Sequence, residues 1–184
     1  MDFEEIEIKY KTLINKAIDY MKKIEDKEHD INHMQDVVNY TKILLNNVKL
    51  NINYDVCIIS AYWHDVGRFF TNEGHEKLSA ELLKKEMLNM NYSLELIDMC
   101  FKAIEKHKWN MKPETLEGLI IKDADKLDFI GVPRWKNCID NNQNINSIIQ
   151  LLPDLREKYL YFEESKKIYD QEIVKLLKYL YYNN

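Results

Sequence analysis

The sequence predicts an all-α helical bundle folded as a single domain. Three observations point there. Apolar residues recur at intervals of three and four along most of the chain, the period of one helix face. Glycine and proline are scarce, 4 and 3 residues in 184, so few residues are suited to the tight turns of an all-β fold. The length falls in the range of roughly 100–200 residues for one domain, and such a chain buries about 70% of the surface it would otherwise expose.

The elements follow in order. Phe3, Ile6, Tyr10, Leu13, Ala17, Tyr20 and Ile24 form one stripe, so a single first helix is expected. That stripe reads equally as core or as the seam of a homo-oligomer. The run from Lys22 to Asp30 reads as a solvated helix end, with His29 an ordinary hydrogen-bonded residue. A second helix spans about Ile31–Asn47, with Met34, Val37, Val38, Thr41, Leu44, Leu45 and Val48 inward. Tyr54–Trp63 is almost continuously apolar. It reads as a central helix capped by Asn53, because a lone strand would have no partner. A polar break at Arg68–Gly74 precedes a fourth helix from about His75 to Met90, with Leu78, Leu82 and Leu83 inward. Ser93 caps a fifth helix, on which Leu94, Ile97, Phe101 and Ile104 share a face. Pro113 suits the first turn of a sixth, ending near Gly131–Pro133. Two or three further helices surround an Asn-rich loop at 140–146. Tyr179, Tyr181 and Tyr182 form an aromatic tail expected to dock on the bundle.

Composition narrows the partners. The formal net charge is −5 and the pI about 5.6, unlike the basic surface of a nucleic-acid binder, so no nucleic-acid partner is expected. Cys57, Cys100 and Cys138 are far apart and odd in number, which reads as reduced thiols in a cytoplasmic protein. The acidic start MDFEEIEIKY lacks a signal-peptide pattern, and no apolar run approaches the roughly 18 residues of a membrane span, so no membrane partner is expected.

The chemistry-bearing residues fall at special places on this map. His33 opens the second helix. His64 and Asp65 end the apolar third helix. His75 opens the fourth, His107 closes the fifth, and Asp125 lies in IIKDADKLDFIG. An ionised carboxylate at the end of a nearly all-apolar helix is costly unless paired or bound to a cation. Imidazole and carboxylate together suit Mn, Fe, Co, Ni or Zn, with Mg also admissible. Neighbouring helical side chains point about 100° apart, so His64 and Asp65 reach one ion only just beyond the helix end. Gly67 fits such an end, as a residue free to adopt positive φ and to bring bare backbone near a ligand. Asp123 and Asp125 lie about 200° apart, so only one faces a shared site. Periodicity favours Asp123.

His33, WHDVGR at 63–68 and DADKLDFIG at 123–131, in that order and spacing, resemble the HD superfamily of metal-dependent phosphohydrolases. The likeness spans residues 33–134, with Arg68 where the family commonly has Lys. It implies one HD-type domain over 1–184, a motif-bearing core at about 30–134 and helices of 135–184 packed on it. It implies His33, His64, Asp65 and Asp125 as metal ligands, selecting Asp125 over Asp123, with His64 and Asp65 at the catalytic centre. GHEKLSAELL and the AIEKH ending resemble the family's binuclear branch, in which His75 and His107 would serve a second ion bridged by Asp65. Asp128 would orient a ligand histidine. Arg68, Lys126 and Arg134 would hold phosphate, against the plainer reading as solvated or helix-dipole partners, and Lys106, Lys108 and Trp109 would line the entrance.

The function so implied is hydrolysis of a phosphate ester or anhydride in a small, phosphorylated, nucleotide-like molecule. One or two divalent ions would supply a metal-bound hydroxide as attacking group. Two alternatives share the ligand set or the fold: an iron-dependent oxygenase, and a non-catalytic nucleotide-binding module.

Overall fold

The computed structural model describes residues 2–26, 28–140 and 149–183. Helices α1 (Phe3–Lys9) and α2 (Lys11–Met21) replace the single first helix expected. The break falls at Tyr10, where φ is −106° and ψ 17°. Its phenol donates to Asp55 Oδ2 at 2.6 Å, and Lys9 Nζ reaches the same oxygen. The apolar stripe runs through the break in register, so periodicity carries no sign of it.

Helices α3 (Ile31–Asn47) and α4 (Tyr54–Trp63) match the expected spans. Asp30 Oδ1 accepts the backbone N–H groups of Asn32 and His33, which sets the first turn of α3. Asn53 caps α4 by accepting from Val56 N at 3.2 Å. Every residue from Val56 to Trp63 is buried, and α4 is the central rod, packed by α2, α3, α6 and α7. Each large side chain so buried contributes roughly 1.5–3 kcal/mol. That burial outweighs the strand leaning of its β-branched residues.

Past Trp63, His64 stays helical and Asp65 turns to φ −109°, ψ 6°. A 3-10 turn at Val66–Phe69 follows, so the expected polar break begins with ordered structure. Gly67 does not adopt positive φ; among the described glycines Gly74 does, at φ 72°. Gly67 is required for close approach to the next helix, α5 (His75–Asn89). A Cβ there would lie 2.3 Å from the carbonyl oxygen of His75 and 2.9 Å from Ser79 N. Its own N–H donates to Ser79 Oγ at 2.8 Å.

The buried face of α5 is His75, Glu76, Ser79, Ala80, Leu83 and Met87. Leu78 and Leu82 are only half-buried, because the helix rolls its polar N-terminal residues inward. On α6 (Leu94–Ile104), Ser93 caps as expected and Ile97 and Ile104 face the core. Phe101 is half-buried and Leu94 is 73% exposed, ahead of the first packed turn. Helix α7 (Leu116–Asp128) starts later than the proline suggested, because Thr115 caps it through Gly118 N. It ends at Asp128, and Pro133 sits in the first turn of α8 (Val132–Asp140).

A short turn at Leu152–Asp154 and a π-helical turn at Leu155–Tyr159 lead to α9 (Glu163–Asn183), which packs on α7 and α8. Tyr179 is half-buried against the core, but Tyr181 and Tyr182 are about four-fifths exposed. The inward stripe of α9 is Tyr169, Leu176 and Leu180, which turns residues 181 and 182 away. Cys57 and Cys100 are buried free thiols. The Cys138 side chain and residues 141–146 of the Asn-rich loop lie outside the described residues. Among the described residues no strand occurs, and no helix is long and apolar enough to cross a membrane.

Because the 3-10 turn and α5 meet backbone to backbone, Gly67→Ala is expected to cost about 1–3 kcal/mol, as overpacking does. Thermal unfolding would show a midpoint lowered by roughly 2–4 °C per kcal/mol. An unchanged midpoint would contradict the close approach.

Candidate metal centre

Five helices and the turn after α4 bring the six residues singled out in the sequence to one place. His33 lies in the first turn of α3, fixed by the Asp30 cap. His64 and Asp65 follow the last turn of α4. His75 is the first residue of α5, entered through the left-handed Gly74. His107 follows α6, its N–H donating to Ile104 O at 3.2 Å. Asp125 projects from α7. All six are buried.

The hydrogen bonds decide which ring nitrogens face inward. His64 Nδ1 lies 2.9 Å from Ala61 O, His75 Nδ1 2.8 Å from Asn72 O and His107 Nδ1 2.8 Å from Ile104 O. A carbonyl only accepts, so each Nδ1 carries the hydrogen and each Nε2 is left with its lone pair. His33 Nδ1 is held the same way by Asp128 Oδ2 at 2.7 Å. The four Nε2 atoms converge. Those of His33 and His64 are 3.2 Å apart, the reach of a hydrogen bond when one of them carries a proton and of two ligands on one ion.

Ligand atoms of His33, His64 and Asp125 lie within 4.8 Å of one another, and so do those of Asp65, His75 and His107. Asp65 spans the two groups. Its Oδ2 is 3.5 Å from His33 Nε2 and 3.8 Å from His64 Nε2. Its Oδ1 is 3.1 Å from His75 Nε2 and 3.3 Å from His107 Nε2. His75 Nε2 is fully buried and has no hydrogen-bond partner. Inward lone pairs, carboxylate oxygens among them and an orphaned imidazole nitrogen fit one or two divalent transition ions.

The HD domain family model matches residues 30–130, more than half of the chain. The chain belongs to the HD-domain family. Two solved structures share its fold. One is a predicted HD superfamily hydrolase from an uncultured Thermotogales bacterium, 22% identical, with TM-score 0.73 over 98% of this chain and 95% of that one. The other is Bacillus subtilis YpgQ in complex with ADP, 17% identical, with TM-score 0.69 over 95% and 93%. At these identities the likeness speaks for the fold. No curated protein matches the chain.

Around this HD centre the structure reverses what periodicity favoured: Asp125, and not Asp123, stands with His33 and His64. Asp123 points away: it accepts the N–H groups of Tyr161 and Phe162 at 3.0 Å, and burial pushes its carboxyl up to about 6. Asp125 shares its surroundings with His33, His64 and Lys126. Burial opposes its charge, but the positive Lys126 and then His33 outweigh it and hold its carboxyl well below the usual range. Asp128 binds both His33 and Arg134, the latter at 2.8 Å. Three cations thus stand at the centre, each on a carboxylate. Arg68 Nε donates to Asp65 Oδ2 at 2.7 Å, Lys126 pairs with Asp125, and Arg134 with Asp128.

Trp109 meets Phe129 and Tyr159 edge-on, and Lys126 lies over its ring at 4.2 Å. Lys106 instead pairs with Glu114, and the backbone oxygen of Lys108 accepts from Lys122 and from Met111 N–H. Lys122 is a residue that sequence reasoning missed. Fully buried, it donates to the carbonyl oxygens of Lys108, Trp109 and Met111 and so fixes the loop after His107. Neither its charge nor its spacing announces this.

His29 is hydrogen-bonded, as the sequence reading expected. Its Nδ1 is held by Asp26 Oδ2 at 2.8 Å, and its ring meets His33 edge-on at 5.6 Å. All five histidines therefore form one continuous chain of rings. His33–His64, His64–His107 and His107–His75 centroids are 5.2, 5.3 and 5.3 Å apart.

Without an ion the centre would hold one proton. Burial pushes His64 down to about 3, so it is neutral. Burial also opposes charge on His33, yet Asp128 and Asp65 outweigh it and raise its pKa to about 9. Below that pH an ion binding at His33 must displace a proton. Apparent metal affinity is therefore expected to rise with pH, by up to about tenfold per unit, and to level off near pH 9. Calorimetry in buffers of different ionisation enthalpy should find about one proton released per chain at pH 7. Release of none would contradict a protonated His33.

Proposed function

We propose that this chain is a metal-dependent phosphohydrolase acting on a phosphate ester or anhydride of a small, nucleotide-like molecule. Membership of the HD family and the buried His/Asp groups support a metal-dependent hydrolase; the phosphoryl substrate is the further step. The observation that carries the metal-dependent part is the set of four buried imidazoles with each Nδ1 hydrogen bound outward and each Nε2 turned in around Asp65; the three cations beside it, Arg68, Lys126 and Arg134, support a phosphoryl substrate.

His33, His64 and Asp125 would hold one divalent ion, and Asp65, His75 and His107 a second, with Asp65 shared. A bound ion supplies an acidified water and polarises a phosphoryl oxygen. The chain's own groups do the rest. Asp128 keeps the hydrogen of His33 on Nδ1 and so its lone pair inward. Arg68 spends its Nε on Asp65 and keeps both Nη groups for phosphoryl oxygens. Lys126 spends one of three ammonium hydrogens on Asp125 and stands over the Trp109 ring, where the others could meet a phosphoryl oxygen. Arg134 braces Asp128 and contributes positive potential on the side of His33. A cavity of about 490 Å³, lined in part by His33, Asp36, Asp128 and Arg134, adjoins this side and has the size of a small-molecule site. ADP bound to YpgQ makes nucleoside phosphates the first substrates to screen. The buried free thiols of Cys57 and Cys100 suit a reducing compartment such as the cytoplasm.

Metal analysis of the purified protein, then a screen of nucleotides and phosphodiesters with Mn, Co, Ni, Mg and Fe, tests the reading. His64→Ala and Asp65→Ala are each expected to lose metal and to lower turnover by more than the roughly 100-fold typical of removing a group that only supports a ligand. Normal activity in either variant rejects the site. His107→Ala should lose one ion of two. Oxygen consumption by an iron form without phosphate release would favour an oxygenase.

A further inference from the structure

Glu76, the second residue of α5, is buried beside the centre but has no part in the ligand set. Its Oε2 has no hydrogen-bond partner among the described residues. His75 Nδ1 lies 3.5 Å away, its hydrogen already donated to Asn72 O at 2.8 Å. A buried carboxylate oxygen without a partner is costly, and the first turn of a helix offsets only part of that. The same imidazole carries the other orphan: His75 Nε2, on the far side of the ring, is buried and unpartnered 3.1 Å from Asp65 Oδ1. Two orphan atoms thus flank one ring. A divalent ion at Nε2 resolves both, since it draws electron density through the imidazole and leaves the Nδ1–H side more positive, facing the carboxylate.

We propose that Glu76 is the counter-charge, acting across the His75 ring, that lets Asp65, His75 and His107 hold a divalent ion. The inference rests on the metal-centre reading above and adds a positioning residue to it. The isosteric Glu76→Gln keeps the shape and removes the charge.

Titration of the metal-free protein with Mn²⁺ by calorimetry, with bound metal counted by mass spectrometry, is expected to show two steps. Glu76→Gln should weaken the second by about 10–100-fold and leave the first unchanged. Glu76→Asp, which keeps the charge, should recover much of the loss. Thermal unfolding separates this from a merely structural role. Without metal, Glu76→Gln should be neutral or stabilising, because it removes an unpaired buried charge; with saturating Mn²⁺ the wild type should gain more. Equal effects with and without Mn²⁺, or two unchanged binding steps, overturn the proposal. A wild type that saturates at one ion also overturns it, while hydrolysis at His33, His64 and Asp125 would still stand.

Discussion

Four imidazoles share one small volume because each has its Nδ1 hydrogen bound outward. Three of those hydrogens go to the backbone carbonyl three residues earlier in the chain, and the fourth goes to Asp128. The local turn alone therefore fixes the tautomer at His64, His75 and His107. Ring orientation follows, and with it the direction of every Nε2 lone pair. Most of the remaining structure can be understood as what it takes to bring those turns together: a helix end at residues 61–64, a helix start at 72–75 and a helix exit at 104–107.

Asp65 is where the turns meet, and its position depends on the end of α4. A continuous helix would send it about 100° away from His64. The passage through φ −109° into a 3-10 turn instead sets it between the two histidine pairs, with one oxygen on each side. That turn in turn needs Gly67, because α5 approaches it closely enough to exclude a Cβ. The glycine acts on the packing of two backbones, and the site inherits the result.

Each carboxylate of the centre outside the Asp123 side has a cation partner of its own before any ion is considered. Asp65, Asp125 and Asp128 face Arg68, Lys126 and Arg134 in three pairs. The pairing keeps buried carboxylates ionised and in place, which a buried acid without a partner would resist by taking up a proton. Asp123 shows the contrast. Two residues from Asp125 on the same helix, it faces the start of α9, caps Tyr161 and Phe162, and its carboxyl rises with burial.

The all-α class, the α3 and α4 spans, and the caps Asn53 and Ser93 were legible in the sequence, because apolar period and capping chemistry are local. So was the set of residues gathered at the centre, through the order and spacing of His33, WHDVGR and DADKLDFIG. The break at Tyr10, the start of α7 at Thr115 and the outward tail tyrosines were not legible, since each depends on a partner distant in sequence. The same holds for His29 joining the histidine chain and for Lys122 gripping the loop at 108–111. Residue identity and local turns determined which groups could serve the centre and which ring nitrogen each histidine presents. Only the tertiary packing decided that Asp125 faces it while Asp123 does not, because two side chains on opposite sides of one helix differ in nothing but what lies against them.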